Sequence, residues 1–178
     1  TAYPATPLLW LDTGNFSGEN NGAGTRNTQT LVEAMSRLGY AAANVGERDL
    51  SLGVAGLQER TRKMPVPLLS SNLVYQDSGD PVFQRILVKT FPAGGGSKKK
   101  LRVGILGLAR MNAGLAATSA DGRNIVTVDP VTTAKSVVTE LRKKSDVLVA
   151  LVTMNLEEAK DLARQVPGID LCLGGFAA

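Results

Sequence analysis

Apolar runs of four to eight residues recur along this chain and alternate with segments in which apolar residues return every three or four positions. The run at 146–153 is apolar enough to form a strand buried on both faces, the run at 68–75 predicts another strand, and the small and polar residues at 109–124 predict a loop. The clearest helix opens at Asp129 and Pro130, because an aspartate caps free N–H groups and a proline suits the first turn, and Asn155 is predicted to cap the next helix. This alternation predicts an α/β fold, and 178 residues suffice for a single domain over 1–178.

Three consecutive glycines, Gly94 to Gly96, separate two extended segments at 82–91 and 101–108. Because such a tract breaks regular structure, the two segments are predicted to form an antiparallel hairpin with its glycine-rich turn near 92–100. The lysine triplet Lys98–Lys100 then lies on the solvated shoulder of the hairpin, where charge discourages edge-to-edge association. Phosphate binding by the triplet stays open as an alternative.

Charge and hydropathy argue against a nucleic-acid partner and against a membrane-spanning segment. Lys and Arg number 20 against 16 Asp and Glu, and the basic residues are scattered apart from the triplet, so we expect no nucleic-acid partner. No apolar run approaches the length of a membrane span, so we expect no such segment. A single cysteine, Cys172, excludes an internal disulfide and a Cys-x-x-Cys-His haem-attachment motif.

Polar or glycine-bearing turns follow four of the predicted strands, at 12–15, 46–49, 153–155 and 174–178. Functional residues of α/β sheets collect at the carboxyl ends of the strands. The four turns are therefore predicted to meet in one shallow cleft.

The order of short motifs in the chain resembles that of calcineurin-like metallophosphoesterases of the 5′-nucleotidase branch. Residues 11–18, L-D-T-G-N-F-S-G, resemble the D-x-G-D-x-x-x-G strand end of that family, and 44–50, N-V-G-E-R-D-L, fall where the family has x-L-G-N-H-E-F. Further matches follow in the family's order at 33–40, 67–72, 103–108, 129–131, 151–156 and 167–175. The resemblance implies a metallophosphoesterase-like αββα sandwich core with mixed sheets flanked by helices. It also implies a core incomplete at both termini, because the family's first Asp-x-His motif would precede Thr1.

The same resemblance implies two divalent metal ions held by Asp, Asn and His ligands, yet this chain contains no histidine. The bridging aspartate of the family corresponds to Asn15, the asparagine ligand to Glu47, and the histidine beside the leaving group to Arg48. The cleft positions that the resemblance marks as vestigial are Asp12, Asn15, Glu47, Arg48, Asp49, Met154, Phe176 and Ala178.

The later histidines of the family correspond to Met154, Phe176 and Ala178. A methionine thioether is unsuited to hard divalent ions, and phenylalanine and alanine offer no donor atom. We therefore expect no metal, no cofactor and no catalytic residue in this chain. Glu47 and Arg48, neighbours in a turn, are expected to pair at the surface, and Asp12 to bind its own turn amides.

The resulting hypothesis is a non-catalytic 5′-nucleotidase-like domain that acts as a binding or scaffold subunit. Degenerate secreted members of the branch with a G-E-R-D-L-like turn accompany multihaem cytochromes. The intact turn at 46–50 therefore implies a periplasmic or extracellular protein and a partner of that kind.

Two other interpretations stay open. One is an active metal-dependent phosphohydrolase whose missing ligands come from absent segments or a partner. The other is a Rossmann-type nucleotide-binding domain, although Gly104 and Gly107 lack the Gly-x-Gly-x-x-Gly spacing. A sheet without its first strand would also expose an edge, so we expect a longer parent chain or a partner that covers it.

Overall fold

The computed structural model describes residues 7–18, 21–62, 65–92, 99–112 and 117–175. The helices are α1 (Gly22–Leu38), α2 (Gly53–Thr61), α3 (Pro130–Leu141) and α4 (Leu156–Gln165), and a 3₁₀ turn at Asp49–Leu52 leads into α2. The strands are β1 (Leu11–Asp12), β2 (Ala42–Asn44), β3 (Leu68–Leu69), β4 (Leu73–Tyr75), β5 (Ile86–Pro92), β6 (Lys100–Ala109), β7 (Ala117–Thr118), β8 (Asn124–Thr127), β9 (Val147–Thr153) and β10 (Leu171–Gly174).

The strands form three sheets. The first is parallel with the order β1-β2-β3, and the second has the order β10-β9-β6-β5, in which only β5 runs antiparallel to its neighbour. The third is an antiparallel sheet with the order β4-β8-β7. The predicted α/β class, with mixed sheets flanked by helices, is confirmed.

Three apolar layers hold the sandwich together. Leu69, Ile105 and Leu151 lie between the first two sheets, where β2 and β3 pack over β6 and β9. Val32 and Leu57 belong to the layer beneath α1 and α2. The layer beneath α3 and α4 contains Val137, Leu141, Leu148 and Leu162. Because successive side chains of a strand point to opposite faces, β6 and β9 supply two layers at once, which explains why these two strands are apolar at nearly every position.

The predicted helix starts are confirmed. The Asp129 carboxylate accepts a hydrogen bond from the Thr132 N–H (2.6 Å), and Pro130 occupies the first turn of α3. At α4, Asn155 and Glu158 form a capping box in which each side chain accepts from the backbone N–H of the other. Both caps satisfy amides that a helix otherwise leaves open at its first turn.

The hairpin is confirmed as well, because β5 and β6 pair antiparallel from Ile86 opposite Leu106 to Pro92 opposite Lys100. Its glycine-rich turn, with Lys98, lies outside the described residues. β5 begins only at Ile86, four residues later than the apolar pattern predicts.

Two sequence-based expectations are wrong. Residues 68–75 are predicted as one strand but divide into β3 and β4, which lie in different sheets. The turn at 70–72 separates them because its polar groups bind elsewhere: the Ser71 hydroxyl donates to the Arg85 carbonyl, and Asn72 binds the end of β6. Residues 109–124 are predicted as a loop, yet they include β7, which pairs with β8.

β1 and β10 are edge strands of the first and the second sheet. Leu171 and Leu173 of β10 are 51% and 39% exposed, so this edge is apolar. The expectation that further chain or a partner covers these edges stays a prediction. No helix in the described ranges combines the length and apolar character that crossing a bilayer requires.

Candidate functional site

The turns after β1, β2 and β9 meet in close contact. Gly14 has a φ of +99°, and a Cβ atom there would lie 2.6 Å from the Thr153 Cγ2 methyl. A Cβ on Gly46 would lie 2.8 Å from the same methyl and would overlap the side chain of Asn15. Only glycine fits at these two positions, so the predicted convergence of the strand ends is confirmed for these turns.

Asp49 ties two of the turns together. Its carboxylate accepts hydrogen bonds from the backbone N–H groups of Asn15 (2.7 Å), Ser17 (2.8 Å) and Gly46 (2.9 Å). The residue has no exposed surface, and burial raises its pKa while these three N–H groups oppose the shift. Both carboxylate oxygens are thus used inside the protein.

Asn15 lies at the centre of the junction in a left-handed conformation with a φ of +62°. Asparagine adopts this region more readily than most residues do. Its side-chain oxygen accepts a hydrogen bond from the Arg48 backbone N–H (3.0 Å), which links the first turn to the second. The side-chain oxygen that would replace a bridging carboxylate is therefore already bound.

Asp12 behaves as expected from the sequence, because its carboxylate accepts from the Gly14 N–H (2.8 Å) in its own turn. The expected surface pair of Glu47 with Arg48 is wrong. Glu47 instead accepts from the Asn112 side-chain amide (3.0 Å), and the Arg48 side chain is exposed.

A cleft of about 340 Å³ opens above this junction. It is lined by Asn15, Glu47, Arg110, Thr153, Met154, Asn155 and Gly175. Three of the predicted cleft positions, Asn15, Glu47 and Met154, therefore contribute to one cavity. Asp12 and Asp49 lie beneath it in the turns, and Phe176 and Ala178 lie outside the described residues.

Sequence reasoning missed Arg110 and Asn112. Both directly follow the long apolar strand β6, so the strand-end rule that selected the other turns would have found them. It also missed the structural role of Asn72, whose amide is fully buried and binds both the N–H and the carbonyl of Ala109 at 2.8 Å. An asparagine in an apolar segment was the available signal, since buried polar groups need partners.

The half-buried carboxylate of Asp12 predicts an unusual pH dependence. Burial raises the pKa of Asp12 above 3.8, and the nearby Asp49 adds to the shift. Because the folded protein then takes up this proton more readily than the unfolded chain, the contribution of Asp12 to stability rises as the pH falls through the folded pKa. From about pH 7 to about pH 3, the wild type should therefore gain stability relative to Asp12→Asn.

Asp146 supplies the control of opposite sign. Its ion pair with Arg102 (2.7 Å) lowers the pKa of this carboxyl to about 2. The stabilising contribution of Asp146 is lost as the pH falls below 3.8, so the wild type should lose stability relative to Asp146→Asn. Urea unfolding at several pH values measures both differences, and equal slopes for the two variants would contradict the assignment.

Comparisons with known proteins place this geometry in context. The chain is 30% identical, over 160 residues, to a 2′,3′-cyclic-nucleotide 2′-phosphodiesterase/3′-nucleotidase of Yersinia enterocolitica, a match that covers 83% of this chain and 24% of that protein. It superposes on the crystal structure of a 5′-nucleotidase precursor from Thermus thermophilus with a TM-score of 0.75 and 27% identity, covering 96% of this chain and 32% of that one. In sequence and in fold, the chain is therefore similar to calcineurin-like phosphoesterases and 5′-nucleotidases.

A further structure supports the phosphoesterase fold. The calcineurin-like phosphoesterase YfkN from Bacillus subtilis matches with a TM-score of 0.74 and 19% identity, covering 93% of this chain and 57% of that one. No protein-family model matches the sequence. This phosphoesterase-like chain spans about a quarter of the length of the curated relatives that it matches.

The donor atoms described here do not fit the two metal ions that the phosphoesterase family implies. Asp49 uses both oxygens for backbone N–H groups, and the Asn15 oxygen accepts from the Arg48 N–H. Met154 places a buried thioether where hard ions require oxygen or imidazole. Across the described ranges, no three Asp, Glu or Cys side chains gather closely enough to hold an ion.

Proposed function

We propose that this chain is a non-catalytic metallophosphoesterase-like domain that acts as a binding or scaffold subunit. The observation that supports the proposal is the use of Asp49 and Asn15, whose side-chain oxygens bind backbone N–H groups of the junction. A two-metal phosphoesterase needs such oxygens free to clamp the ions and activate a water molecule. In this chain Asn15, at the position of the bridging aspartate, instead stabilises the turns together with Asp49.

The proposal extends to where the protein works and what it binds. The intact G-E-R-D-L turn at 46–50 is the basis for a periplasmic or extracellular location and for a protein partner of the multihaem cytochrome class. In the structure this turn is ordered around Asp49, with Arg48 exposed. An exposed arginine beside a rigid turn is suited to contact a partner protein.

Metal and substrate additions test the non-catalytic role. We expect no saturable heat of binding for Mn²⁺ or Zn²⁺ in calorimetry, and no metal-dependent hydrolysis of bis(p-nitrophenyl) phosphate or of nucleotides. The Thermus thermophilus 5′-nucleotidase under the same conditions is the positive control. Stoichiometric binding of two ions together with turnover would establish the alternative, a working metal-dependent phosphohydrolase.

Co-purification tests the partner. The wild-type protein and the matched variant Arg48→Ala serve as baits in an extracytoplasmic extract. Haem-stained gels should show a protein with covalently bound haem only in the wild-type sample. Recovery of the same haem protein with both baits would show that Arg48 does not contribute to the contact with the partner. Absence of any haem protein would contradict the cytochrome assignment.

A further inference from the structure

A second cavity of about 190 Å³ adjoins the cleft and shares Arg110 and Met154 with it. Its walls are mostly apolar and are formed by Met111, Pro130, Val131, Met154 and Leu162, with Arg110, Glu158 and Asp161 at the rim. Met154 is 6% exposed and forms the floor, whereas Met111 is 57% exposed at the opening. Methionine side chains adapt to irregular apolar groups, so this cavity suits a hydrophobic ligand fragment.

Most charges around the cavity are already offset. The Arg110 guanidinium binds the Glu158 carboxylate (3.0 Å), and Asp161 pairs with Arg164 (2.7 Å). The N-terminal N–H groups of α3 and α4, which carry partial positive charge, also have acceptors. Asp129 caps α3, and Asn155 and Glu158 cap α4. These groups leave little net charge for recognising an anion.

Glu47 is the exception. One oxygen of its carboxylate accepts from the Asn112 amide (3.0 Å), and its other oxygen has no hydrogen bond among the described residues. Asn112 follows Met111 directly in the chain, so this bond places the carboxylate beside the opening of the methionine-lined cavity. A negative charge in the polar cleft therefore adjoins the apolar cavity.

We propose that the joined cavities bind a small amphipathic cation, with its ammonium group on the Glu47 carboxylate and its apolar group between Met111 and Val131. The inference rests on the proposed binding role and adds the chemical class of the ligand. Burial of the apolar group supplies the affinity, and the carboxylate selects the sign of the charge.

A series of three ligands that share a phenethyl group and carry a cationic, neutral or anionic head group tests the inference. Phenethylammonium is the cation, 2-phenylethanol the neutral analogue and 3-phenylpropionate the anion, each titrated into the full chain with EDTA present. Methyl signals of ¹³C-methionine report the site, because Met111 and Met154 should shift on addition of the cation. Met35 lies in the separate core layer beneath α1 and should not move.

The variant Glu47→Gln keeps the shape of the side chain and removes its charge. It should weaken binding of the cation about fivefold, the size of one partly exposed ion pair, and leave the neutral analogue unchanged. Glu59→Gln, at an exposed carboxylate on α2, is the matched control and should bind as the wild type does.

Three results would overturn the inference: tighter binding of the anion, unchanged affinity in Glu47→Gln, or cation binding without shifts at Met111 and Met154. None of them bears on the non-catalytic role, which fails only if metal-dependent turnover appears. The two proposals are therefore refuted by different measurements.

Discussion

Replacing Asp49 with alanine should lower the free energy of unfolding by about 3 kcal/mol, because two buried N–H donors and one partly buried N–H donor lose their acceptor at once. The full loss of three such bonds would be larger, but removal of a buried carboxylate also removes its desolvation cost, which is the cause of its raised pKa. Urea unfolding near neutral pH measures the difference.

Asp49→Asn and Asp80→Ala complete this test. The asparagine variant keeps one acceptor oxygen without the charge, so its loss should be smaller than that of the alanine variant. Asp80 is exposed, and its replacement should change stability by no more than about 0.5 kcal/mol. Wild-type stability in Asp49→Ala would show that the carboxylate does not hold the turns together.

Replacing Asn72 with alanine should also lower the free energy of unfolding by about 3 kcal/mol. The amide donates to the carbonyls of Ala109 (2.8 Å) and Val128 (3.1 Å), and its oxygen accepts from the Ala109 N–H (2.8 Å). These bonds join the antiparallel sheet of β4, β7 and β8 to the end of β6, and the residue is fully buried. Alanine would leave the buried N–H and carbonyl of Ala109 and the partly buried carbonyl of Val128 without this partner.

Hydrogen exchange locates the effect of this second substitution. Amides of β8 should exchange faster in Asn72→Ala, while those of α4, on the opposite side of the sandwich, should change only as global stability changes. Gln76→Ala is the matched control, because Gln76 is exposed. Uniform acceleration in both variants would contradict a local tie between the sheets.

The elements that the sequence predicts well have strong local signals. The α3 and α4 starts follow from capping residues that act within three positions, as the Asp129 bond to Thr132 shows. The β5–β6 hairpin follows from two extended segments around a glycine tract. The division of residues 68–75 into two strands was not predictable, because it depends on hydrogen bonds to Arg85 and to Ala109, which are 14 and 37 residues away in the chain.

The candidate site likewise has features that the sequence predicted and features that it did not. Strand-end polarity predicted the cleft and placed Asn15, Glu47 and Met154 in it. The binding partner of Glu47 was not predictable, because Asn112 is 65 residues away and comes from a segment with no strong periodicity. The role of Asp49 also escaped prediction, since a carboxylate in a turn looks alike whether it faces solvent or three backbone amides.

The sequence by itself determined the α/β class, the order of motifs that matches the phosphoesterases, and the lack of histidine, because these depend only on residue type and spacing. Only the tertiary structure decided that the oxygens of Asn15 and Asp49 bind backbone amides, and that Glu47 lies beside a methionine-lined cavity. The physical reason is that a hydrogen bond is specified by the position of its partner, and residues distant in sequence acquire positions only when the sheets pack.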